Sequence, residues 1–264
     1  MIGAHDCEED GLAWRERGSG DVVLFLHGLG GSRISWEPQV RALSDRYRCV
    51  AWDLPGYGAS APLEETMTFA RLAHTVERLV GLLGVAKVHL AGISFGGMIA
   101  QYVAAWHPDI VRSLTVLSSS PAFGLDGTKP DDWRAARLAP LDAGHEPKDF
   151  ANIVLRAIAG PSISTSAMDE QRAAMERVSG AGLRSAIDCL ITHDSRPLLA
   201  SITTPTLCLV GQLDDETPPA YSRALADGIP GAQLVVIPDA GHLLNAEAPD
   251  LVNTLLATHM ANAS

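Results

Sequence analysis

A serine set between two glycines is the first place in this chain where chemistry is possible. Gly92-Ile93-Ser94-Phe95-Gly96 joins a short apolar run, residues 87–91, to a helical pattern that starts at Phe95. A Gly-x-Ser-x-Gly junction between strand and helix forces a tight turn that lifts the serine hydroxyl above the sheet edge, where it can act as a nucleophile. Gly92 and Gly96 clear the space for that turn. The helix beginning at Phe95 aims unpaired backbone N–H groups, and the positive end of its dipole, at negative charge developing nearby. At ordinary glycine and serine frequencies the bare pattern arises by chance in roughly one chain in ten of this length. Its meaning therefore depends on partners elsewhere.

A serine nucleophile needs a base, and the base needs an orienting carboxylate. Nine histidines compete for the first role. His5 and His259 lie near the ends, His74 and His89 inside a helix and a strand pattern, and His107 before the helix-ending Pro108. His145 and His193 fall in a stretch without strands. His27, directly before Gly28, reads as a structural, hydrogen-bonded residue. His242 differs, because it follows the last apolar run in Pro238-Asp239-Ala240-Gly241-His242-Leu243-Leu244, at the same sheet edge as Ser94. For the acid, the run at 206–211 leads into Gln212-Leu213-Asp214-Asp215-Glu216-Thr217. Asp214 and Asp215 are adjacent and periodicity does not separate them, while Asp215 or Glu216 equally suits the cap of a helix starting near Thr217. The strand run at 113–117 ends in Ser118-Ser119-Ser120-Pro121 and offers no rival acid. Another glycine-rich loop, His27-Gly28-Leu29-Gly30-Gly31-Ser32, follows the apolar run at 21–26. It is suited to turn the Leu29 N–H toward Ser94, with the Phe95 N–H as a second donor to an oxyanion. Losing one such donor typically costs ~3–4 kcal/mol of transition-state stabilisation. The same loop, with Asp53 downstream, imitates a dinucleotide fingerprint, but Arg33 stands where the third glycine is required.

Positioning these groups requires a sheet, and the chain alternates accordingly. Strand-like runs at 21–26, 48–52, 87–91 and 113–117 are separated by helical patterns at 35–43, 69–83 and 95–106, and residues 12–17 read as an edge strand. That βαβ alternation predicts a parallel sheet covered by helices on both faces. Between 121 and 202 strand-like runs disappear. Short helical stretches at 152–159 and 170–178, interrupted by Gly144, Pro147, Gly160, Pro161, Gly180 and Gly182, predict a helical cap inserted over the sheet. The alternation resumes at 206–211 and 233–237, and a helix at 248–259 closes the chain. With 264 residues and 47% hydrophobic composition a sizeable core is available, and a net charge of −11 disfavours nucleic acid or anionic membrane as a partner. No apolar run approaches the ~20 residues of a membrane span. The acidic start of the chain is unlike a signal peptide, and Cys49 and Cys208 in apolar runs read as buried free thiols, so the cytoplasm is the expected location.

Together these motifs resemble the α/β-hydrolase-fold enzymes. The order Ser94, Asp214, His242 is the family's serine–acid–histidine order. His27-Gly28 is similar to its His-Gly oxyanion segment, and Asp53 to Ser60 to its Asp-x-x-Gly-x-Gly-x-Ser segment. The family pattern of glycine, two residues, then the acid selects Asp214 after Gly211. The likeness covers nearly all of the chain outside 121–202, and the tail from Thr217 to Asp250, with Gly241 to Glu247, resembles the enol-lactonases of aromatic degradation. The resemblance implies an α/β-hydrolase fold with a mostly parallel sheet, flanking helices and an inserted helical cap, the core being 1–120 and 203–264 and the cap 121–202. It also implies cleavage of a small-molecule carboxylic ester or lactone through an acyl-enzyme, with Ser94 as nucleophile, His242 as base, Asp214 as orienting acid and the N–H groups of Leu29 and Phe95 holding the oxyanion. Trp36, Trp133 and Leu138 are candidates for the substrate pocket. No metal or organic cofactor is implied, and no signal for an oligomeric state is present. The same triad would also serve a cofactor-free, haloperoxidase-like perhydrolase or a carbon–carbon bond hydrolase, although the Gly-Gly-Gly-Pro-like loop of ring-cleavage hydrolases is absent. A ligand receptor on a hydrolase scaffold is a further alternative. Dehalogenases and epoxide hydrolases use an aspartate where this chain has Ser94.

Overall fold

A computed structural model describes residues 4–263, so the first three residues of the acidic N-terminal run lie outside the described residues. In chain order the elements are β1 (His5–Glu9), β2 (Leu12–Arg17), β3 (Val22–Leu26), α1 (Glu37–Leu43), β4 (Arg48–Trp52), α2 (Phe69–Leu82), β5 (Val88–Ile93), α3 (Phe95–Trp106) and β6 (Val111–Leu117). There follow α4 (Pro130–Asp142), α5 (Pro147–Ile158), α6 (Thr165–Met175) and α7 (Gly180–Leu190), and then β7 (Thr206–Gly211), α8 (Pro219–Gly228), β8 (Gln233–Ile237), α9 (Leu244–Glu247) and α10 (Pro249–Asn262). The strands form one eight-stranded sheet in the order β1-β2-β4-β3-β5-β6-β7-β8. Only the pairings β1–β2 and β2–β4 are antiparallel. Among the described residues no strand of this sheet comes from the segment between β6 and β7.

Alternation along the strands builds two cores from one sheet. Val22, Leu24 and Leu26 of β3 point to the face covered by α2 and α3, where Leu72, Leu79 and Ile99 are fully buried. Val23 and Phe25 point to the other face, against Val40 of α1 and Leu256 of α10. A strand buried on both faces reads as an unbroken apolar run, which is why 21–26 and 206–211 are conspicuous in the sequence. Cys49, Cys189 and Cys208 are buried free thiols, each pushed up to about 12 by burial. No helix among the described residues is long and apolar enough to cross a membrane.

The chain departs from the expected edge. β2 is not the outer strand, because β1 pairs beyond it through a hairpin in which Asp10 (φ 50°) and Gly11 (φ 74°) both take left-handed backbone. That is the demand of a type I′ turn, and Asp-Gly is its usual sequence. β1 carries no apolar alternation because nearly all of it is exposed. Gly180 and Gly182 do not interrupt a helix but open one: Ser179 Oγ accepts the Gly182 N–H at 2.9 Å, the ordinary side-chain cap.

The order of the strands places a crevice. β3 connects toward β4 on one side, and the chain then returns to lay β5 on its other side. Loops leaving the carboxyl ends of β3 and β5 therefore diverge, and such a switch point is where open α/β sheets hold their ligands. The His27–Ser32 loop leaves β3 there, and Ser94 leaves β5.

Candidate active site

Ser94 sits at φ 54°, ψ −119° between β5 and α3. A non-glycine residue in this region carries backbone strain, which persists only where the surroundings over-determine it. Here Gly92 and Gly96 are that constraint. A Cβ on Gly92 would meet Gly97 N at 2.7 Å, and one on Gly96 would meet the His27 carbonyl oxygen at 2.6 Å. The turn is held entirely through its backbone: the Ser94 N–H donates to Leu117 O (2.9 Å), while Ser94 O accepts from Met98 N (3.0 Å) and Ser119 Oγ (2.9 Å). The hydroxyl takes no part in that scaffold.

The His27 loop reaches over this serine. A Cβ on Gly28 would stand 3.3 Å from Ser94 Cβ. His27 is buried and structural: its Nδ1 lies 2.8 Å from Gly28 O, and its Nε2 accepts the Leu54 N–H at 3.0 Å. Burial depresses its pKa, so it stays neutral. Tyr57 donates to Leu29 O at 3.0 Å, which fixes the peptide next to the proposed donor. Phe95 has a fully buried side chain and opens α3, so its N–H belongs to the first turn, where no intrahelical acceptor exists. Asp53 is wholly buried; Oδ1 accepts from Arg33 N (2.9 Å) and Oδ2 from Ala59 N (3.0 Å). It braces two loops and is closed to a ribose.

Opposite lie Asp214, just past β7, and His242, in the loop after β8. His242 Nδ1 is 3.0 Å from both carboxylate oxygens of Asp214. The carboxylate also accepts from Glu216 N (3.0 Å), Thr217 N (2.8 Å) and Thr217 Oγ1 (3.0 Å), so it is held by the turn that leaves the strand. Burial alone would raise the Asp214 pKa, but the facing imidazole and these hydrogen bonds outweigh it, and the pKa lies below the ordinary value. For His242 burial favours the neutral ring, yet the charge and hydrogen bond of Asp214, with Glu216 and Glu247 adding to them, carry the pKa above its usual value. With Nδ1–H committed to Asp214, Nε2 is the nitrogen free to take a proton. Asp215 is exposed, and the capping-type bonds expected of it or Glu216 belong to Asp214. Asp194, on the 121–202 segment, is gripped by Arg196 at 2.7 and 2.8 Å. His193 is buried with its Nε2 2.8 Å from Ser120 O, and burial takes its pKa down to about 4.

Ser94, Leu29 and His242 line one cavity of about 320 Å³, within the size range of small-molecule sites. Its walls are mainly apolar, with Met98, Phe150, Val154 and Ile187 among them. Trp133 lines it, edge-on to Phe123 with ring centroids 5.4 Å apart. Two pocket expectations are corrected. Trp36 is fully buried on the far face of the sheet, stacked on Phe25 at 4.8 Å, and does not reach the cavity. Leu138 faces the core of the fold, while Ala136, Arg137 and Pro140 on the same helix face the cavity.

Three residues near the site escape sequence reasoning. Thr217 supports Asp214, Glu247 binds the loop around His242, and Arg137 Nη2 lies 2.9 Å from both oxygens of Glu216 across the cavity wall. The signal for Glu247 was its acid in the otherwise uncharged stretch 243–249. Among the described residues, the grouping His5, Cys7 and Glu16 has metal-ligand chemistry. It lies on the β1–β2 edge, and Arg48 already holds Glu16 at 2.7 Å.

The alpha/beta hydrolase fold family model matches residues 21–249. A Mycobacterium tuberculosis protein named provisionally as the non-heme bromoperoxidase BpoC is 30% identical over 95% of this chain and 98% of its own. The 3-oxoadipate enol-lactonase 1 of Acinetobacter baylyi is 30% identical, covering 87% of this chain and 84% of its own. Among solved structures, a thermophilic esterase from Thermogutta terrifontis superposes with a TM-score of 0.85 at 26% identity, over 99% of each chain.

Proposed function

This chain belongs to the alpha/beta hydrolase fold family, and within it we propose a serine hydrolase that cleaves a neutral, apolar carboxylic ester or lactone. The observation that carries this reading is the placement of Ser94 and His242 on one cavity, with the imidazole's other nitrogen held by a buried carboxylate. In the proposed reaction Ser94 Oγ adds to the acyl carbon as its proton passes to His242 Nε2. The carbonyl electron pair moves onto oxygen, where the Leu29 and Phe95 N–H groups hold it. Collapse breaks the acyl–oxygen bond, and the leaving alkoxide takes the proton from Nε2. Water then adds to the acyl-serine, His242 takes its proton, and Ser94 departs with that proton as the acid is released. Asp214 stays ionised and stabilises the transient imidazolium.

The raised His242 pKa fixes a direction for pH dependence. The base must be neutral, so kcat/KM rises with pH as the imidazolium deprotonates. Its acid limb is expected to have a midpoint above the ordinary histidine value of about 6.5. A pH profile of kcat/KM on a neutral ester checks this, and a midpoint well below that value would contradict the Asp214–His242 pairing.

Substrate class follows from the walls. Arg137 is the cationic side chain at the cavity, and Glu216 already holds it, while Asp126 adds further negative charge. A substrate carboxylate would enter an apolar, net acidic site without a free partner. We further propose that residues 121–202, whose helices supply Trp133, Phe150, Met175 and Ile187 to the cavity, act as the cap that sets acyl size. The test is a series of p-nitrophenyl esters of increasing chain length, with one ester ending in a carboxylate. Medium-length neutral esters are expected to exceed the carboxylate-ended ester of equal length by at least about tenfold in kcat/KM, or ~1.4 kcal/mol. A preference for the charged ester would overturn the substrate class. Peroxide-dependent acyl transfer that outpaces hydrolysis would move the chemistry to a perhydrolase.

A further inference from the structure

The loop that carries His242 is held by an acid to which the reaction assigns no role. Glu247 closes α9 and is 8% exposed. Its Oε2 accepts the Gly241 N–H (2.7 Å) and the Gly160 N–H (3.0 Å), and its Oε1 accepts the Leu243 N–H (3.0 Å). The amides on either side of His242 therefore end on one carboxylate. The His242 N–H itself donates to Ile158 O at 3.1 Å. Ile158 ends α5 and Gly160 follows it, so both belong to the segment between β6 and β7. The two backbones touch: a Cβ on Gly160 would come 2.5 Å from Gly241 N, and one on Gly241 would come 2.9 Å from Gly160 Cα.

A buried carboxylate is unfavourable unless its acceptor sites are filled. Glu247 fills them with charge-assisted bonds to backbone, which are shorter and stronger than neutral ones. An apolar side chain would serve packing alone at this position and would leave three amides without that partner. From this geometry we infer that Glu247 is a positioning residue, which fixes the backbone on both sides of His242 and ties it to the 121–202 segment. The inference rests on the reading of His242 as the base. Reach matters because a displacement of about 1 Å at a catalytic group can cost on the order of a hundredfold in rate.

Glu247→Gln tests it. The carboxamide keeps one acceptor oxygen and turns an NH2 group toward backbone donors, so at least one of the three bonds is lost. On a neutral p-nitrophenyl ester, kcat is expected to fall about 10- to 100-fold while KM changes little. Hydrogen exchange at residues 160, 241 and 243 is expected to quicken. Asp214, Glu216 and Glu247 are the acids acting on the His242 ring. Removing one of these negative charges disfavours the imidazolium, so the His242 titration followed by NMR is expected to move to lower pH. Gly160→Ala, which pushes on the same junction from the far side, is expected to lower kcat in the same direction. A folded Glu247→Gln protein with unchanged kcat, exchange and His242 titration overturns the inference. Should that variant not fold, an unchanged kcat in Gly160→Ala overturns it instead. Changed exchange and titration in a protein that hydrolyses no ester would leave the clamp standing and remove the ester-hydrolase reading.

Discussion

Replacing Ser94 with alanine is expected to abolish ester turnover, lowering kcat by about 10⁴-fold or more, the scale seen when a triad nucleophile is removed. The fold should be unaffected. Every hydrogen bond that holds the turn uses the Ser94 backbone, and alanine keeps the same Cβ in the same positive-φ conformation. Removing the hydroxyl takes away the atom proposed to bond to the acyl carbon, and the cavity keeps its walls. The variant is therefore expected to bind a neutral ester and not consume it. Turnover within tenfold of the parent, after exclusion of a contaminating esterase, would sink the assignment of the nucleophile.

Asp214→Asn is expected to have the second largest effect, a loss of several orders of magnitude in kcat. An asparagine keeps the acceptor oxygen for Glu216 N and Thr217 N, but its NH2 group faces His242 Nδ1 as a donor. Nδ1 must then accept, the proton moves to Nε2, and the ring presents the wrong tautomer to the serine. In a serine protease this substitution costs about 10⁴ in kcat. Asp215→Asn is the control, because its side chain is exposed and Asp214 makes the turn's bonds. It should change activity little and stability by no more than about 0.5 kcal/mol, as expected for an exposed site. Both variants are compared by kcat and by circular dichroism. The reverse ranking would move the acid to Asp215, and equal small losses would place it elsewhere.

How far the sequence reveals this arrangement depends on whether a residue's role is local. The inner parallel strands are legible because both faces are covered, so β4 and β7 coincide with their apolar runs, while the edge strand β8 matches its run although it is only partly buried. The elbow is legible because its glycines answer a local steric demand at Gly92 and Gly96. β1 is hidden because an exposed strand needs no apolar pattern, and only Asp10-Gly11 marks its hairpin. α4 and α7 are blurred by Pro140 inside one and by two glycines opening the other. Which side chain meets the cavity is a tertiary fact, so the sequence does not show that Trp36 and Leu138 turn to the core instead. Glu247 is of the same kind: its three partners come from two loops far apart in the chain.

The most direct test of the account is mass analysis after reaction with a fluorophosphonate, which forms a stable covalent adduct with an activated serine. The account predicts one adduct per chain, located on the peptide carrying Ser94. It predicts none in Ser94→Ala and much slower labelling in Asp214→Asn. An adduct on another residue, or ester turnover by a protein whose Ser94 stays unmodified under these conditions, would contradict it.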